Sequence, residues 1–500
     1  GQDDWSVSER FKLSYGLRID ALFFNNNDLI TNQAIKELDY SGRSIDTGEW
    51  PSTNIIFSPR VGFVWDASGD KSLKVRGGTG LFSGNLPLVF FTNMPTNGGM
   101  VQYQAQLNAN TEVIDGYTGP YIERDDKEYI DMSQFAGGLV TDVDGNANIA
   151  GLYDKLTGIG YPTTISPEDG TVPSAIAGIS SDFKMPQVWK TSLAVDYAFP
   201  TSFPFSATVE GIFNKTINGV TISDWSIPSV GGFARFNGVD NRPIYPDGYR
   251  TGTKAFVLEN TSRGYGWSTN ITLNAQPTEW LSMMAAYTHT VAKDVTGMPG
   301  SNPESAFTYV PTVEGPNHIK LHNSQYTTPD RLVASLTASD KGGNHYNIIY
   351  EGWRGGANYS YMTVNDINGD GYNYDAIYVP TDDEVANNEF RFVSADDQAR
   401  FMDYVHADDY LKDQQGEYAE AYSVYSPWTH RIDLGYKHDF AVNAVNAKHK
   451  LQLSFDVKNV MNLFNSSWGV AKYLNPEIGS EARILKYEGV DADGVATFST

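Results

Sequence analysis

The sequence contains no cysteine among its 500 residues. This excludes disulfide scaffolds, thiolate metal sites and cysteine nucleophiles. The chain also lacks any run of about 18 consecutive apolar residues, so it offers no candidate transmembrane helix. This second absence leaves membrane barrels open, because barrel strands alternate polar and apolar side chains and give almost no hydropathy signal.

Positive charge is scarce. The chain has 36 Lys and Arg residues against 60 Asp and Glu, and its net charge is −24. A general nucleic-acid binder needs a basic surface to neutralise phosphates, so we expect no nucleic-acid partner.

Motifs of enzyme chemistry are also absent. The 8 histidines are scattered and form no HExxH pair for zinc. There is no GxSxG nucleophile elbow and no Walker phosphate loop. We therefore expect no enzymatic activity, and calcium is the one cofactor that the sequence suggests.

Aromatic residues and glycine are abundant, with 30 Tyr, 25 Phe and 47 Gly. This composition suits strands and turns more than helical bundles. Residues 57–84 show the clearest pattern, two alternating strands joined by a tight turn. Because successive side chains of a strand point to opposite faces, one face is apolar and the other cationic. The apolar face carries Val61, Phe63 and Trp65, and the cationic face carries Lys74 and Arg76.

The same period-two alternation recurs in about a dozen segments. The predicted strands are residues 5–7, 11–21, 60–66, 73–81, 189–197, 205–213, 265–273, 281–287, 332–336, 346–350, 432–436 and 451–457. Short turns alternate along the chain with long connections. The long ones are about 25–54, 85–181, 218–260, 294–330, 357–428 and 466–500.

Aromatic residues gather at both ends of the predicted strands. Those near the short turns are Trp5, Phe11, Trp65, Tyr197, Phe199, Phe203, Phe205, Trp280 and Phe440. Those near the long connections are Phe23, Phe24, Phe82, Phe213, Tyr265, Trp267, Trp353 and Trp428. Two aromatic belts with short periplasmic turns and long extracellular loops predict an all-β antiparallel transmembrane barrel. The alternative is a soluble sandwich or propeller whose core holds the aromatic residues.

One long connection interrupts the β pattern. Ser394 and Asp397 are placed to cap a helix ahead of Phe401, Met402, Tyr404 and Val405. We predict short helices over about residues 395–406 and 408–412.

Several motifs resemble those of one family. Residues 450–465, KLQLSFDVKNVMNLFN, resemble a late-strand motif of TonB-dependent outer-membrane transporters, and WSVSERFKLSYGLRID at 5–20 is similar to another of their strand pairs. Four more motifs resemble those of the large Oar-like branch of this family in Bacteroidota. Members of that branch carry an N-terminal carboxypeptidase-regulatory-like domain. The four motifs are RGYG at 263–266, DINGDG at 366–371, GEYAE at 416–420 and SPWTHRID at 426–433.

The resemblance implies a barrel of about 22 strands, plugged by an N-terminal domain and energised by TonB. Implied partners are outer-membrane lipid and lipopolysaccharide, the plug of the same polypeptide, the TonB complex, an unknown extracellular ligand and a surface lipoprotein. Neither a plug, nor a TonB box, nor a last strand ending in an aromatic residue is found in the sequence. Because an open-edged sheet leaves backbone groups unpaired in lipid, we expect residues 1–500 to be the C-terminal part of one longer barrel domain in the bacterial outer membrane.

A calcium loop is predicted in residues 366–377. Asp366, Asn368 and Asp370 provide oxygen ligands at positions 1, 3 and 5, and a glycine follows at position 6. Tyr372 could supply a carbonyl, and Asp375 could replace the missing acid of position 12, which is Ile377. The alternative is a metal-free turn, since the same residue types form tight turns.

Charged residues on the cationic face of the strands are predicted to line the lumen. The leading candidates are Arg18, Lys74, Arg76, Arg431 and Asp433. They would hold a plug or guide a solute, or they would simply make the lumen polar and pair with each other.

Three functional hypotheses follow. The first is a transporter that binds a ligand with its extracellular loops and imports it through a plugged barrel. The second is a structural or adhesive surface protein that uses the barrel as an anchor. The third is a soluble carbohydrate-active β-protein. The acidic, Tyr-rich loops suit sugars, peptides or metal chelates equally.

Overall fold

Twelve antiparallel strands, paired in chain order, form one large sheet, which we call the wall. The computed structural model describes residues 1–100, 109–113, 117–135, 166–296, 300–307, 310–444, 447–473 and 481–500. The strands are β1 Gln2–Ser6, β2 Phe11–Leu22, β3 Asn54–Asp66, β4 Leu73–Ser83, β5 Gln187–Ala198, β6 Phe205–Asp224, β7 Tyr265–Thr278, β8 Leu281–Asp294, β9 Asp330–Ser339, β10 Asn344–Arg354, β11 Thr429–Ala444 and β12 Ala447–Val457. Within the described residues the wall does not close, because β1 and β12 each have one strand neighbour.

The period-two pattern gives the wall an apolar face and a polar face. Trp65 and Leu193 stand on the apolar face, which we call the outer face, and are 45% and 54% exposed. Lys74 and Arg76 stand on the opposite, inner face of β4, where Arg76 lies opposite Val64. Large apolar side chains this exposed are not core residues. The all-β antiparallel architecture predicted from the sequence is confirmed.

Short and long connections alternate strictly, as predicted. The β3–β4 turn shows why a short connection suffices. Asp66 accepts hydrogen bonds from the backbone N–H of Gly69 at 2.9 Å and of Lys71 at 3.0 Å. Both donors have positive φ, 85° and 69°, so the turn requires glycine at position 69 and tolerates strain at Lys71. This turn returns the chain directly into the next strand.

The long connections fold together into a second unit, which we call the head. It comprises the described residues of these connections and residues 481–500. Its strands are Tyr121–Arg124, Lys127–Ile130, Ala175–Ile179, Lys254–Thr261, His322–Asn323, Ser360–Thr363, Tyr378–Val379, Arg391–Phe392, Glu417–Tyr418, Glu481–Val490 and Ala496–Ser499. Its helices are α1 Gln33–Lys36, α2 Leu88–Thr96, α3 Pro303–Phe307, α4 Asp382–Ala386, α5 Ala395–Ala407 and α6 Asp409–Asp413. Four 3₁₀ turns are also described, Met132–Phe135, Pro167–Asp169, Val230–Gly232 and, directly after β12, Val460–Leu463.

The head has a hydrophobic core of its own. Phe401, Val405 and Leu411 of α5 and α6 are buried in it. They meet Phe498 near the end of the chain, whose ring stacks on Phe390 with centroids 4.7 Å apart. Ser394 caps α5 by accepting the backbone N–H of Asp397 at 3.1 Å. The two helices predicted in this connection are thereby confirmed.

Helices are not confined to that connection, which differs from our prediction. Residues Leu88–Thr96 form α2 without a side-chain cap and with Pro95 inside the helix. The sequence therefore shows no helix start or stop signal here. The helix is stabilised because Phe90, Phe91 and Met94 are buried in the head. In the described chain, no helix is long or apolar enough to cross a membrane.

Three aromatic residues assigned to the belt near the long connections lie elsewhere. Phe82 shares the inner face of β4 with Arg76, three strand periods away. Trp353 also faces inward, with its ring centroid 5.8 Å from the guanidinium carbon of Arg431. Phe24 stacks on Phe91 inside the head, at 5.4 Å between centroids. The belt was predicted from nearness to a strand end, and this was wrong for these residues. The face on which a side chain lies depends on whether its position along the strand is odd or even.

Candidate functional site

The inner face of the wall carries the predicted lumen residues. Arg76 donates from Nε to Asp196 Oδ2 at 3.1 Å, and its Nη1 lies 3.4 Å from Glu210 Oε1. Lys74 faces the same way, between Asp66 and Asp196 in the strand register. The cations are thus arranged among acids of neighbouring strands, and the face is charged but internally paired.

Arg18 lies nearer the head. Its Nε donates to Asp20 Oδ1 at 2.8 Å, and 63% of its side chain is exposed. Asp20 also accepts the hydroxyl of Ser83 at 3.2 Å. This pair links β2 to the end of β4 just below the head.

A second charged network lies across β9 to β11. Glu351 accepts Arg431 Nη2 at 2.8 Å and Arg331 Nε at 3.0 Å. Asp433 accepts Lys458 Nζ at 3.3 Å and the backbone N–H of Asn459 at 2.8 Å. The sequence prediction named Arg431 and Asp433 but missed Arg331 and Glu351. Extending the period-two pattern by one residue on β9 and β10 would have found both.

Small residues leave a shallow depression between the charges. One cross-strand row reads Ser14, Gly62, Gly78 and Ser192. A Cβ on Gly78 would lie 3.0 Å from the carbonyl oxygen of Val61, which explains the absence of a side chain there. The depression encloses about 540 Å³ and has Arg60 and Lys190 at its rim. A solute or a polypeptide segment can approach the backbone here.

Two pockets open in the head. The larger, about 580 Å³, is lined by Asn97, Thr171, Asn302 and Glu304 among others. The smaller, about 260 Å³, is lined by acidic and basic side chains, Glu314, His318, Lys320, His322, Glu417 and Glu420. The smaller pocket combines convergent polar groups with apolar walls, the composition of small-ligand sites, whereas the larger pocket is lined mostly by polar groups.

His322 is the most enclosed polar side chain of the smaller pocket, at 3% exposure. Its Nδ1 lies 2.8 Å from the carbonyl oxygen of Asn323, while Nε2 is buried and has no partner in the described residues. Burial lowers the pKa of His322, so the ring is held neutral at physiological pH. Because Nδ1 must carry the proton to donate to that carbonyl oxygen, Nε2 of the neutral ring is unprotonated and can accept one hydrogen bond from a ligand.

The predicted calcium loop is a set of side-chain-stabilised turns. Asp366 accepts the N–H of Gly369 at 2.7 Å and of Gly371 at 2.8 Å. Asn368 accepts the N–H of Asp370 at 2.9 Å. Asp370 in turn accepts the N–H of Tyr372 at 2.8 Å. These contacts match the turn alternative, and the described residues contain no group of three or more acids or histidines arranged to hold a metal.

Asp375 belongs to a different network. Its Oδ2 accepts the N–H of Ile367 at 3.1 Å, and its Oδ1 lies 3.3 Å from Arg242 Nη1. Burial raises the pKa of Asp370 to about 7, with a further rise from the charge of Asp366. Burial also raises the pKa of Asp375, against the opposing pull of Arg242. The loop therefore holds two carboxyl groups in a dry environment that favours their protonated forms.

Arg242 joins this loop to the rest of the head. Its side chain is fully buried, and its guanidinium donates to Asp240 at 2.8 and 3.0 Å and to the carbonyl oxygen of Ala376 at 2.8 Å. Tyr418 donates its hydroxyl to Asp240 at 3.0 Å. One side chain thus ties two separate long connections together.

Comparison with known proteins gives one family match. The profile of the family described as outer membrane beta barrel domain matches residues 1–477. No curated protein sequence matches the chain.

Solved structures resemble the chain only at low identity. The copper transporter OprC is 10% identical with a TM-score of 0.36, covering 92% of this chain and 41% of that one. The outer membrane transporter YddB from Escherichia coli is 9% identical with a TM-score of 0.42, and the match covers 98% of this chain and 44% of that one. A mutant of the ferric enterobactin receptor PfeA from Pseudomonas aeruginosa is 10% identical with a TM-score of 0.40, and the match covers 92% of this chain and 38% of that one. The chain thus spans less than half the length of these proteins, and the similarity is too low to transfer a ligand.

The family match agrees with the architecture, an antiparallel wall with one apolar and one charged face. The chain belongs to the outer membrane β-barrel domain family, and its wall lies in the bacterial outer membrane.

Proposed function

We propose that the chain is the barrel portion of a TonB-dependent transporter of the Oar-like branch, which binds a ligand with its head and imports it through a plugged barrel. The observation that carries this proposal is the polar inner face, with its two charged networks around Arg76 and Arg431, beneath a folded, pocketed head. Lipid would not tolerate that face, so it borders water or a polar protein segment. No catalytic role is proposed.

The proposal includes strands and a plug beyond this sequence. The open edges of β1 and β12 would leave backbone N–H and C=O groups unpaired in lipid. Further strands, to about 22 in all, would remove both edges and enlarge the lumen enough to hold a plug. The paired charges around Arg76 and Arg431 would then face that plug.

The test is nutrient uptake in the source bacterium. Casein peptides, maltodextrin, ferric citrate and cobalamin would each be supplied at growth-limiting concentration. We expect deletion of this gene and deletion of tonB each to reduce uptake of the same nutrient about tenfold or more, because the plug opens only when TonB is engaged. Full-length protein purified from the tonB deletion strain should still bind the nutrient whose uptake is lost, as measured by calorimetry.

The second candidate, an anchored structural or adhesive surface protein, makes the opposite prediction. A well-packed head with its own core would serve adhesion as well as capture. Loss of surface attachment in the gene deletion, with uptake of all four nutrients unchanged, would replace the transport proposal with this one. Partners such as a surface lipoprotein would be sought by cross-linking on intact cells.

Calcium binding at residues 366–377 stays a prediction. The oxygen donors favour a cation, whereas the engagement of Asp375 by Arg242 removes one donor. We expect 2 mM calcium (about the extracellular level at which such loops bind) to raise the melting temperature of the EDTA-treated full-length protein. Asp366→Asn should abolish that rise. An equal rise in wild type and variant would assign residues 366–377 to a metal-free turn.

A further inference from the structure

One cross-strand row of the inner face holds two cations and no acid. From β1 to β8 its members are Gln2, Gly16, Arg60, Gly80, Lys190, Asn214, Gly266 and Ala292. The row crosses β4 and β5 three residues from their ends at the head, which is about 10 Å at the usual rise of a strand. The two cations therefore lie in the upper part of the wall, beneath the head.

Arg60 differs from the other arginines of the wall strands. Within the described residues, each of the others forms an ion pair with a carboxylate, namely Arg18, Arg76, Arg331, Arg354 and Arg431. Arg60 and Lys190 instead share one aromatic ring. The guanidinium carbon of Arg60 lies 5.2 Å from the ring centroid of Phe82, and Lys190 Nζ lies 5.9 Å from it. The ring attracts both cations but does not neutralise them.

Glycine leaves room between the two cations. Gly80 lies between Arg60 and Lys190 in the register, and a Cβ on Gly80 would stand 2.8 Å from the Cβ of Arg60. The depression of about 540 Å³ opens at this place, and Gly62 and Gly78 are part of its lining. A ligand can therefore enter between the two cations.

The depression offers these cations no acid of its own. Among the described residues that line it, Glu210 is the only carboxylate. Glu210 lies four residues from Asn214 on β6, about 13 Å nearer the short turn, and its Oε1 is 3.4 Å from Arg76 Nη1. The positive charge at the upper rim of the depression is therefore left without a counterion from the lining.

We propose that Arg60 and Lys190 bind the oxyanion group, a carboxylate or a phosphate, of the imported solute. The guanidinium presents two parallel N–H groups to such a group, and the ammonium adds a further charge-assisted hydrogen bond. The rest of the solute lies over the glycines, where the hydroxyls of Ser14 and Ser192 line the depression. The inference rests on the proposed transport function, because it names the chemical class of the solute that the barrel admits.

The test is calorimetric binding of three matched sugars to the full-length protein in mild detergent. Glucose 6-phosphate carries a phosphate, glucuronate carries a carboxylate, and glucose has the same ring without charge. We expect the charged sugars to bind and glucose not to bind, and binding of only one charged sugar assigns the site to that oxyanion. Equal binding of glucose would overturn the inference. Binding of neither charged sugar would also overturn it, and is the result expected if an acidic side chain of the plug occupies the two cations.

Two double variants test the residues themselves. Arg60→Gln/Lys190→Gln removes both cations, and the matched control Lys12→Gln/Lys437→Gln removes two inner-face lysines that do not line the depression. We expect the affinity for the charged sugars to fall about tenfold or more in the first variant and to stay unchanged in the control. Equal affinities in the two variants would overturn the assignment to Arg60 and Lys190. Both variants should keep the heat-modifiable gel mobility of a folded barrel, and the comparison of the three sugars on wild type needs no variant.

Nutrient uptake separates this inference from the transport proposal. Of the four nutrients, maltodextrin alone carries neither a carboxylate nor a phosphate. TonB-dependent uptake of maltodextrin would overturn the inference and leave the transport proposal standing. Binding of the charged sugars through Arg60 and Lys190, by a protein whose deletion changes uptake of none of the four nutrients, would support the oxyanion site and contradict transport.

Discussion

Replacing Arg242 with methionine is expected to lower the free energy of unfolding of the head by about 3–5 kcal/mol, because it strands buried carboxylates without their partner. Asp240 and Asp375 have side chains that are 4% and 1% exposed, and both contact Arg242. Methionine preserves the volume but supplies no positive charge. Asp375, whose pKa burial already raises, would take up a proton, and Asp240 would keep the hydrogen bond from Tyr418 but lose its countercharge.

Hydrogen exchange on the full-length protein would measure this change in the head alone. Protection of the Ile367 and Ala376 amides should fall by about two to four orders of magnitude at 1.4 kcal/mol per factor of ten. Wall amides on β5 to β8 should keep their protection. The matched control is Arg235→Gln, which removes an arginine paired bidentately with Glu314 but 37% exposed, and it should cost less than about 1 kcal/mol.

A triple variant distinguishes charge from packing. In Arg242→Met/Asp240→Asn/Asp375→Asn no charge remains to be stranded, so part of the lost protection should return. Equal protection in Arg242→Met and Arg235→Gln would contradict the idea that Arg242 holds the head together. No recovery in the triple variant would assign the loss to the hydrogen bond with Ala376.

The wall could be predicted because its signal is local. A strand that faces lipid on one side and polar groups on the other alternates residue by residue, and that pattern is visible in a window of ten residues. β2 and β5 were predicted to within two residues at either end. β6 was underestimated, because beyond Asn218 it leaves the wall and pairs with Lys254–Thr261 in the head.

The head could not be predicted because its core is assembled from distant segments. Asn237 and Gly494 are bonded through their backbones although 257 positions separate them. Phe236 packs with Phe498 in the same cluster, and neither lies in a periodic segment. Without periodicity, a sequence window shows only Gly, Asn and Asp turns, and those were interpreted as irregular loops.

The candidate site was predicted in part, for the same physical reason. Parity alone placed Arg18, Lys74, Arg76, Arg431 and Asp433 on one face, and the register agrees with it. Which acid pairs with which cation depends on the stagger of neighbouring strands, which a single sequence does not reveal. The Arg242 network was missed entirely, since Arg242 and Asp375 sit in different connections and no local pattern relates them.

Placing arginine at Leu193 should prevent the barrel from assembling, whereas arginine at the neighbouring Ser192 should be tolerated. Leu193 lies midway along β5 on the outer face, with Gly77 and Gly211 opposite it on the adjacent strands. An arginine facing lipid near the midplane costs about 2–4 kcal/mol. The small neighbours offer no partner that would offset this cost, and the leucine contact with Gly77 is lost as well.

Ser192 faces inward, across from Gly78 and near the depression that Glu210 also lines. Arginine there would enter a polar space beside an acid, so we expect a change of less than about 1 kcal/mol. The two variants share the strand, the added charge and the added volume, and they differ only in the face. The folded fraction in outer-membrane preparations, read from heat-modifiable gel mobility, measures both. Equal loss in the two variants would mean that both faces of the wall are dry, and equal tolerance would mean that neither meets lipid. Only a wall with lipid on one side and polar surroundings on the other predicts opposite outcomes at consecutive residues.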